Sequence, residues 1–233
     1  IENTLALHDQ PFTGRAGPRS GVTSLAFNNR LLMRHVGMLS SWSQSKIFSY
    51  FGPRSEAGKR FAAGECAMLT ASTSRYPSLA ASLGPRLAMT ALPIYEDYSS
   101  PNSHTLSSGN GLWVLTGKAK RDYKGVGLFL AYVSRPAVQA KWHRITGDIP
   151  VTRQAYELTR KSGFYATFPW AEIAILSTQP RGKSQKHQPP LPRLAQIRSI
   201  LDSELEAVWK RSKTPKEALD DASIRGTRLL RGK

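Results

Sequence analysis

A single cysteine, Cys66, stands among the 233 residues, which excludes an internal disulfide and a cysteine-rich metal site. Its apolar neighbours in the stretch Gly64–Leu69 predict a buried, inert thiol, since a nucleophile would need a base and partial exposure. No apolar run reaches the ~18–20 residues needed to cross a bilayer. The longest, around Gly127–Val133, is far too short, so no membrane-spanning segment is expected. Ile1–Asp9 has neither a basic region nor an apolar core of the kind that a signal peptide carries. Translation does not normally start on isoleucine, so the chain reads as a processed product, a cropped piece or part of something longer, and its compartment stays open.

Catalytic and metal-binding patterns are also absent. His8, His35, His104 and His187 stand singly and form no ligand pair, so no metal is expected. Gly109, Asn110 and Gly111 lack the remainder of a dinucleotide fingerprint, and no phosphate-loop pattern occurs. Ser107–Gly111 is not a nucleophile elbow, because a strand rather than a helix is predicted to follow. His143, beside Trp142 on a helix, has no positioned partner and reads as a capping or core residue rather than a general base. Asp220 and Asp221 read as a solvated helix face. A binding protein rather than an enzyme is expected, with no cofactor.

Acidic residues are scarce, 16 against 33 Lys and Arg, and the formal charge is +17. That excess suits anionic partners of any size. The basic residues are scattered, with modest concentrations at 181–193 and 225–233, and no zinc-finger spacing, RNA-binding aromatic signature or basic zipper accompanies them. Small anionic ligands fit the charge as well as nucleic acid does, and a nucleic-acid partner is not expected; a basic nucleic-acid-binding module remains the reading that rests on charge alone.

What is present is a core-sized apolar content of 40% with 5 Trp, 8 Tyr and 8 Phe, which argues against wholesale disorder. Residues 1–29 read as irregular, with short elements at best. Leu32, Val36 and Leu39 predict a helix over Leu31–Trp42. Ser55 is placed to cap a helix to about Ala63, ended by Gly64. Ala67–Thr70, Leu87–Leu92 and Gly111–Leu115 predict strands. Ser72, Thr73 and Ser74 then stand where a strand gives way to a helix start, a place suited to anions. Tyr123–Val133 predicts a helix with Val126, Phe129, Leu130 and Val133 inward, and Pro136 opens another that stops at Gly147. Thr152 precedes a helix through Leu158, 178–193 reads as a Pro-containing basic connector, and Leu194–Trp209 is helical. Thr214, Pro215 and Glu217 form a capping box with proline at the first helical position.

One long run resembles a known family. From Ser134 to Thr152, through Trp142, His143, Thr146, Gly147 and Pro150, and on from Ala155 to Tyr165, the sequence is similar to a signature of extracytoplasmic solute-binding proteins of ABC importers. Phe61–Ser72, Gly109–Trp113, Gln196–Arg198, Glu204–Trp209, Lys213–Asp220 and Arg225–Leu230 match in the same order. The resemblance spans the whole chain but only the later half of a family member.

It implies an α/β fold of the periplasmic-binding-protein type (type II), two lobes joined by crossing strands and closing on ligand like a hinge. This chain would cover mostly the second, helix-rich lobe and the C-terminal crossing segments. Residues 1–105 would belong to the second lobe, 106–150 to a crossing strand and helices returning to the first, and 151–233 to the C-terminal helices of the second. The resemblance further implies a periplasmic substrate-binding subunit that captures sn-glycerol 3-phosphate or a glycerophosphodiester and hands it to inner-membrane ABC permease subunits. Ser72 matches a ligand-contacting serine and Gly109 a glycine that meets ligand through its backbone. Two positions depart from the pattern. Asp148 replaces a tyrosine, and a carboxylate there repels a phosphate at close range. The family's ligand arginine has no counterpart in register, Arg193 being only near it. The alternative reading is a truncated or decayed paralogue with no ligand binding of its own.

Overall fold

The computed structural model describes residues 1–15, 21–52, 56–98, 100, 104–107, 111–179 and 191–232. The Ser55 cap, Gly109 and the 180–190 part of the connector lie outside them. The chain divides into two compact units, one built from 1–53, 94–106 and 180–233, the other from 54–93 and 107–179. The chain therefore passes between the units four times, which neither composition nor periodicity announces.

The first unit holds α1 (Glu2–Leu7), β1 (Thr13–Arg15), β2 (Val22–Leu25), α2 (Arg30–Gln44), α10 (Leu194–Trp209) and α11 (Pro215–Leu230). β1 and β2 pair antiparallel, Thr13 opposite Leu25, with a bulge between Gly14 and Arg15. So small a ribbon is not stable by itself. Its free edge is taken up by α11, where Leu25 donates its N–H to Thr227 Oγ1 at 3.0 Å and accepts at its carbonyl from the Ser223 hydroxyl at 3.3 Å. Gly226 makes this approach feasible: a Cβ there would lie 2.3 Å from Leu25 Cδ1. Leu5, Phe12, Leu25 and Phe27 from the stretch expected to be irregular join Leu31, Leu32, Val36, Ile197, Leu201, Val208, Ala218, Leu219 and Ala222 in one buried cluster. The irregular look of 1–29 thus conceals four core anchors.

Helix α2 starts at the Asn29 cap, which accepts from the Leu32 N–H at 3.0 Å. The capping box of α11 forms as its sequence demands, Glu217 N–H donating to Thr214 Oγ1 and Thr214 N–H to the Glu217 carboxylate. Asp220 and Asp221 are not a free solvated face. Asn28 Nδ2 and Lys216 Nζ donate to Asp220 at 3.0 and 2.6 Å, and Lys213 Nζ donates to Asp221 at 2.7 Å.

The second unit holds α3 (Glu56–Ala62), α4 (Tyr76–Leu83), α5 (Lys120–Val133), α6 (Pro136–Thr146), α7 (Arg153–Lys161), α8 (Phe164–Thr167) and α9 (Pro169–Ser177). Its buried cluster is Tyr165, Trp170, Ala171 and Ile175, with Tyr76, Met89, Ile149, Tyr156 and Phe164 packed against it. Tyr76 stacks on Trp170 with centroids 3.9 Å apart. Helices α8 and α9 fall in a stretch for which the sequence predicted no element.

The predicted strands over Ala67–Thr70, Leu87–Leu92 and Gly111–Leu115 do not form: β1 and β2 are the paired strands among the described residues. A strand requires a neighbour to hydrogen-bond, and these stretches have the composition of strands without the partner. Helix α5 buries no residue fully: Val126, Leu130 and Val133 are half-buried, on the side expected, whereas Phe129 is 53% exposed. Cys66 is only half-buried, between the exposed Glu65 and Ala67, not buried as its apolar neighbours suggested.

The α10–α11 pair carries one buried charge. Glu204, 4% exposed, accepts from Lys213 Nζ at 2.6 Å and from the Arg225 guanidinium. Its partners are partly solvated, so they recover hydration if the carboxylate is removed, whereas the carboxylate does not if they are. Replacing both Lys213 and Arg225 by Met is expected to cost on the order of 3 kcal/mol in urea unfolding, and adding Glu204→Met to restore most of it. An additive further loss in the triple variant would show that the carboxylate is not the strained partner.

Candidate functional site

The signature run and the serine turn meet in the second unit. Helix α6 opens on Pro136 and ends at Gly147, whose φ of 74° places it in the left-handed region while its N–H caps the His143 carbonyl at 3.0 Å. Glycine is required twice over. A Cβ on Gly147 would lie 3.2 Å from the Thr73 carbonyl oxygen and 3.2 Å from Pro77 Cδ. The 146–148 turn is therefore seated directly on the Ser72–Pro77 turn, two stretches more than sixty residues apart in sequence.

Two side chains hold the turn from within. His143, 2% exposed, bonds the Asp148 carbonyl through Nδ1 and Tyr165 through Nε2, the latter at 3.1 Å. A carbonyl can only accept, so Nδ1 carries the proton and Nε2 accepts from the Tyr165 hydroxyl. Burial lowers the imidazole pKa, its bond to Asp148 offsetting part of that, and burial pushes the Tyr165 phenol up to about 12. His143 is thus a core histidine that fixes backbone, as its lone position on a helix suggested. Thr146 adds a further tie: its Oγ1 donates to the Trp142 carbonyl at 3.0 Å and accepts from the Asp148 N–H at 3.2 Å. Beyond the turn, Thr152 caps α7, its Oγ1 accepting from Ala155 N–H at 3.3 Å.

Ser72 is exposed at this junction, its Oγ 3.0 Å from Ser74 Oγ, ahead of a 3-10 turn over Thr73–Arg75. It makes no capping bond, and Pro77 near the start of α4 removes one N–H from the helix end that an anion would meet. The expected hydroxyl-bearing turn is present, but the 3-10 turn separates Ser72 from the α-helix start. Arg75 in the same turn is exposed and was not singled out by its sequence; an arginine one residue ahead of an aromatic-proline pair carries no pattern of its own. Asp148, in the tyrosine's place, accepts from Trp142 Nε1 at 3.3 Å, so the carboxylate is held at the turn rather than directed away. Arg193, the nearest candidate for the missing ligand arginine, is committed elsewhere: with φ 58° it precedes α10, and its Nη1 donates to the Leu229 carbonyl at 2.8 Å.

The model of the family described as bacterial extracellular solute-binding protein matches residues 36–172. The chain is 37% identical to an sn-glycerol-3-phosphate-binding periplasmic protein of Yersinia pestis over 99% of its own length and 53% of that protein's. Against the protein of that description from Escherichia coli the identity is 35%, with the same coverage. The chain thus spans about half the length of the curated relatives it matches. Among solved structures, the maltose/maltodextrin-binding domain from Bdellovibrio bacteriovorus, bound to maltotriose, is similar with a TM-score of 0.68 at 16% identity, covering 99% of this chain and 57% of that one. A putative oligosaccharide periplasmic-binding protein from Synechococcus matches at 0.64 and 13%, covering 99% and 58%. The fold expected from the signature, that of periplasmic binding proteins, is the fold these likenesses show.

The buried imidazole gives the turn a pH dependence. Its folded-state pKa lies below the ordinary value of about 6.5, so its contribution to stability is complete above that value and is lost as pH falls below it. Melting temperature is expected to drop between pH 7 and pH 5 more steeply in the native chain than in a His143→Gln variant. Parallel curves for the two would mean that His143 does not titrate out of the folded state in this range.

Proposed function

The chain belongs to the bacterial extracellular solute-binding protein family, and from that premise we propose that it serves an ABC importer as a substrate-binding subunit in the periplasm. Its ligand on this reading is sn-glycerol 3-phosphate or a related glycerophosphodiester, handed on to inner-membrane permease subunits. The observation that carries the proposal is the 37% identity to a protein of that described specificity along 99% of this chain. The net charge of +17 supports an anionic ligand.

Ser72 would donate its hydroxyl to a ligand oxygen from the turn seated under Gly147, and Gly109 would meet ligand through its backbone. Arg75, exposed in the same turn as Ser72, is the nearest cation by sequence for an anionic group.

A second reading has its own support. The chain spans 53% of the relative's length, Asp148 puts a carboxylate where the family pattern has a tyrosine, and Arg193 is tied to the Leu229 carbonyl. On that reading these 233 residues bind no such ligand by themselves.

Calorimetric titration with glycerol 3-phosphate separates the two. Saturable heat, weakened about 10-fold by Ser72→Ala, a change of about 1.4 kcal/mol, is the result expected of a receptor. Absence of heat with glycerol 3-phosphate and with glycerophosphodiesters alike, from a chain that still unfolds cooperatively, would support the second reading and sink the first.

A further inference from the structure

One stretch of the first unit is fastened to it by an imidazole. Residues 94–106, of which 94–98, 100 and 104–106 are described, belong to the first unit, while Pro93 and Ser107 on either side belong to the second. The fastening is His8, 2% exposed at the C-terminal cap of α1. Its Nδ1 bonds the Thr4 carbonyl at 2.6 Å, and its Nε2 bonds the Tyr95 N–H at 2.7 Å. A carbonyl can only accept and an amide N–H can only donate, so Nδ1 carries the proton and Nε2 presents a lone pair. The ring is therefore neutral. Both nitrogens are taken, so no carboxylate reaches it to favour its charge.

The other ties of the stretch are weaker by position. Arg34 of α2 pairs with Asp97 at 2.7 Å with both side chains half exposed or more, and such pairs contribute little. Ser100 donates to the Asp9 carboxylate at 3.3 Å, and the Leu106 N–H donates to Asn3 Oδ1 at 2.7 Å in an exposed bond. Around the latch, the Tyr95 and Tyr98 rings lie 5.4 and 6.4 Å from the His8 ring. From α2, His35 Nδ1 lies 3.1 Å from the Tyr95 hydroxyl, and the Arg34 guanidinium stands 4.4 Å over the Tyr95 ring. From α1, Glu2 is bonded to Arg198 of α10 and is not free to answer a charge on His8. His35 does not compete for the proton near neutrality, because burial above all lowers its pKa to about 4.

We propose that the His8–Tyr95 bond is a pH-operated latch, which a proton taken up at His8 Nε2 opens, freeing 94–106 from the first unit while α10 and α11 stay folded. Protonation turns the acceptor into a second donor and sets it against the Tyr95 N–H. Two buried donors facing one another lose their bond and gain no other, so they relax only by moving apart. Because the bonded form requires a neutral ring, the latch is closed at pH 7 and opens as pH falls through the range in which an imidazole ordinarily takes up a proton. The stretch is then part of the first unit at neutral pH and a loose link to the second in acid. The latch uses no residue of the serine turn or of the 146–148 turn, so it stands whether or not the ligand assignment does.

The test is amide hydrogen exchange of the 233-residue chain at pH 7 and pH 5, read as protection against the intrinsic rate at each pH. Protection of the Tyr95 amide should fall at least ~10-fold at pH 5, while Leu201 in α10 and Leu219 in α11 keep theirs. The nitrogen-15 shift of His8 Nε2 should titrate with the same midpoint as that loss. His8→Gln, whose amide oxygen can accept from the Tyr95 N–H without titrating, should hold Tyr95 protected at both pH values. His8→Phe, which keeps a ring and has no acceptor, should leave it unprotected at both. Equal Tyr95 protection at the two pH values, a midpoint apart from that of His8, a fall at Leu201 and Leu219 as steep as at Tyr95, or a fall that persists in His8→Gln would each overturn the proposal. The native chain decides by itself if either variant fails to fold.

Discussion

The close approach of Gly147 to the Thr73 carbonyl and Pro77 is the constraint on which the second unit turns. It works because three independent demands agree at one residue. The end of α6 calls for a left-handed residue, the contact would crowd a Cβ at 3.2 Å, and the next residue must present its carbonyl to His143. His143 can answer because it is neutral, Nδ1 donating and Nε2 accepting from Tyr165. Tyr165 in turn lies in the cluster that carries Trp170 and Tyr76, and Tyr76 begins α4 just after the serine turn. The chain of contacts thus closes on itself: the signature run is held to the Ser72 turn both directly and through the aromatic cluster.

The helices were the readable part of the sequence, and for a local reason. Thr214 with Glu217, Pro136 with Gly147, and the spacing of Leu32 and Val36 state their structure within one or two turns of chain. The strands were not readable in that sense. Gly111–Leu115 has strand composition, yet a strand is a relation between two segments, and among the described residues none pairs with it. The reverse error occurred in 1–29, where Phe12, Leu25 and Phe27 looked dispersed among turn-formers but converge on α11 more than 190 residues later. Cys66 and Phe129 fail for the reason that Gly111–Leu115 does: apolar composition predicts burial only when something arrives to bury it.

The candidate site was legible through its signature rather than through its chemistry. Ser72 alone is a serine before a turn, and no spacing rule connects that turn to Gly147; the contact of Gly147 with Thr73 and Pro77 emerges only in the folded unit. Gly109 lies outside the described residues. Asp148 is the informative departure. Its carboxylate accepts from Trp142 Nε1 at 3.3 Å beside the turn, and a negative charge there disfavours a phosphate at close range. Arg193 shows the complementary point: near the right place in sequence, it donates through Nη1 to the Leu229 carbonyl in the last turn of α11.

On the proposed function, the 146–148 turn and the Ser72 turn act as one ligand-responsive junction. Backbone amide shifts of an isotopically labelled sample, followed on addition of glycerol 3-phosphate, test it most directly. Saturable shifts concentrated at Ser72–Arg75 and Thr146–Asp148, with the amides of α10 and α11 unmoved, are expected. Saturable shifts confined to other parts of the chain, or none at ligand concentrations that perturb the Yersinia pestis relative, would contradict it.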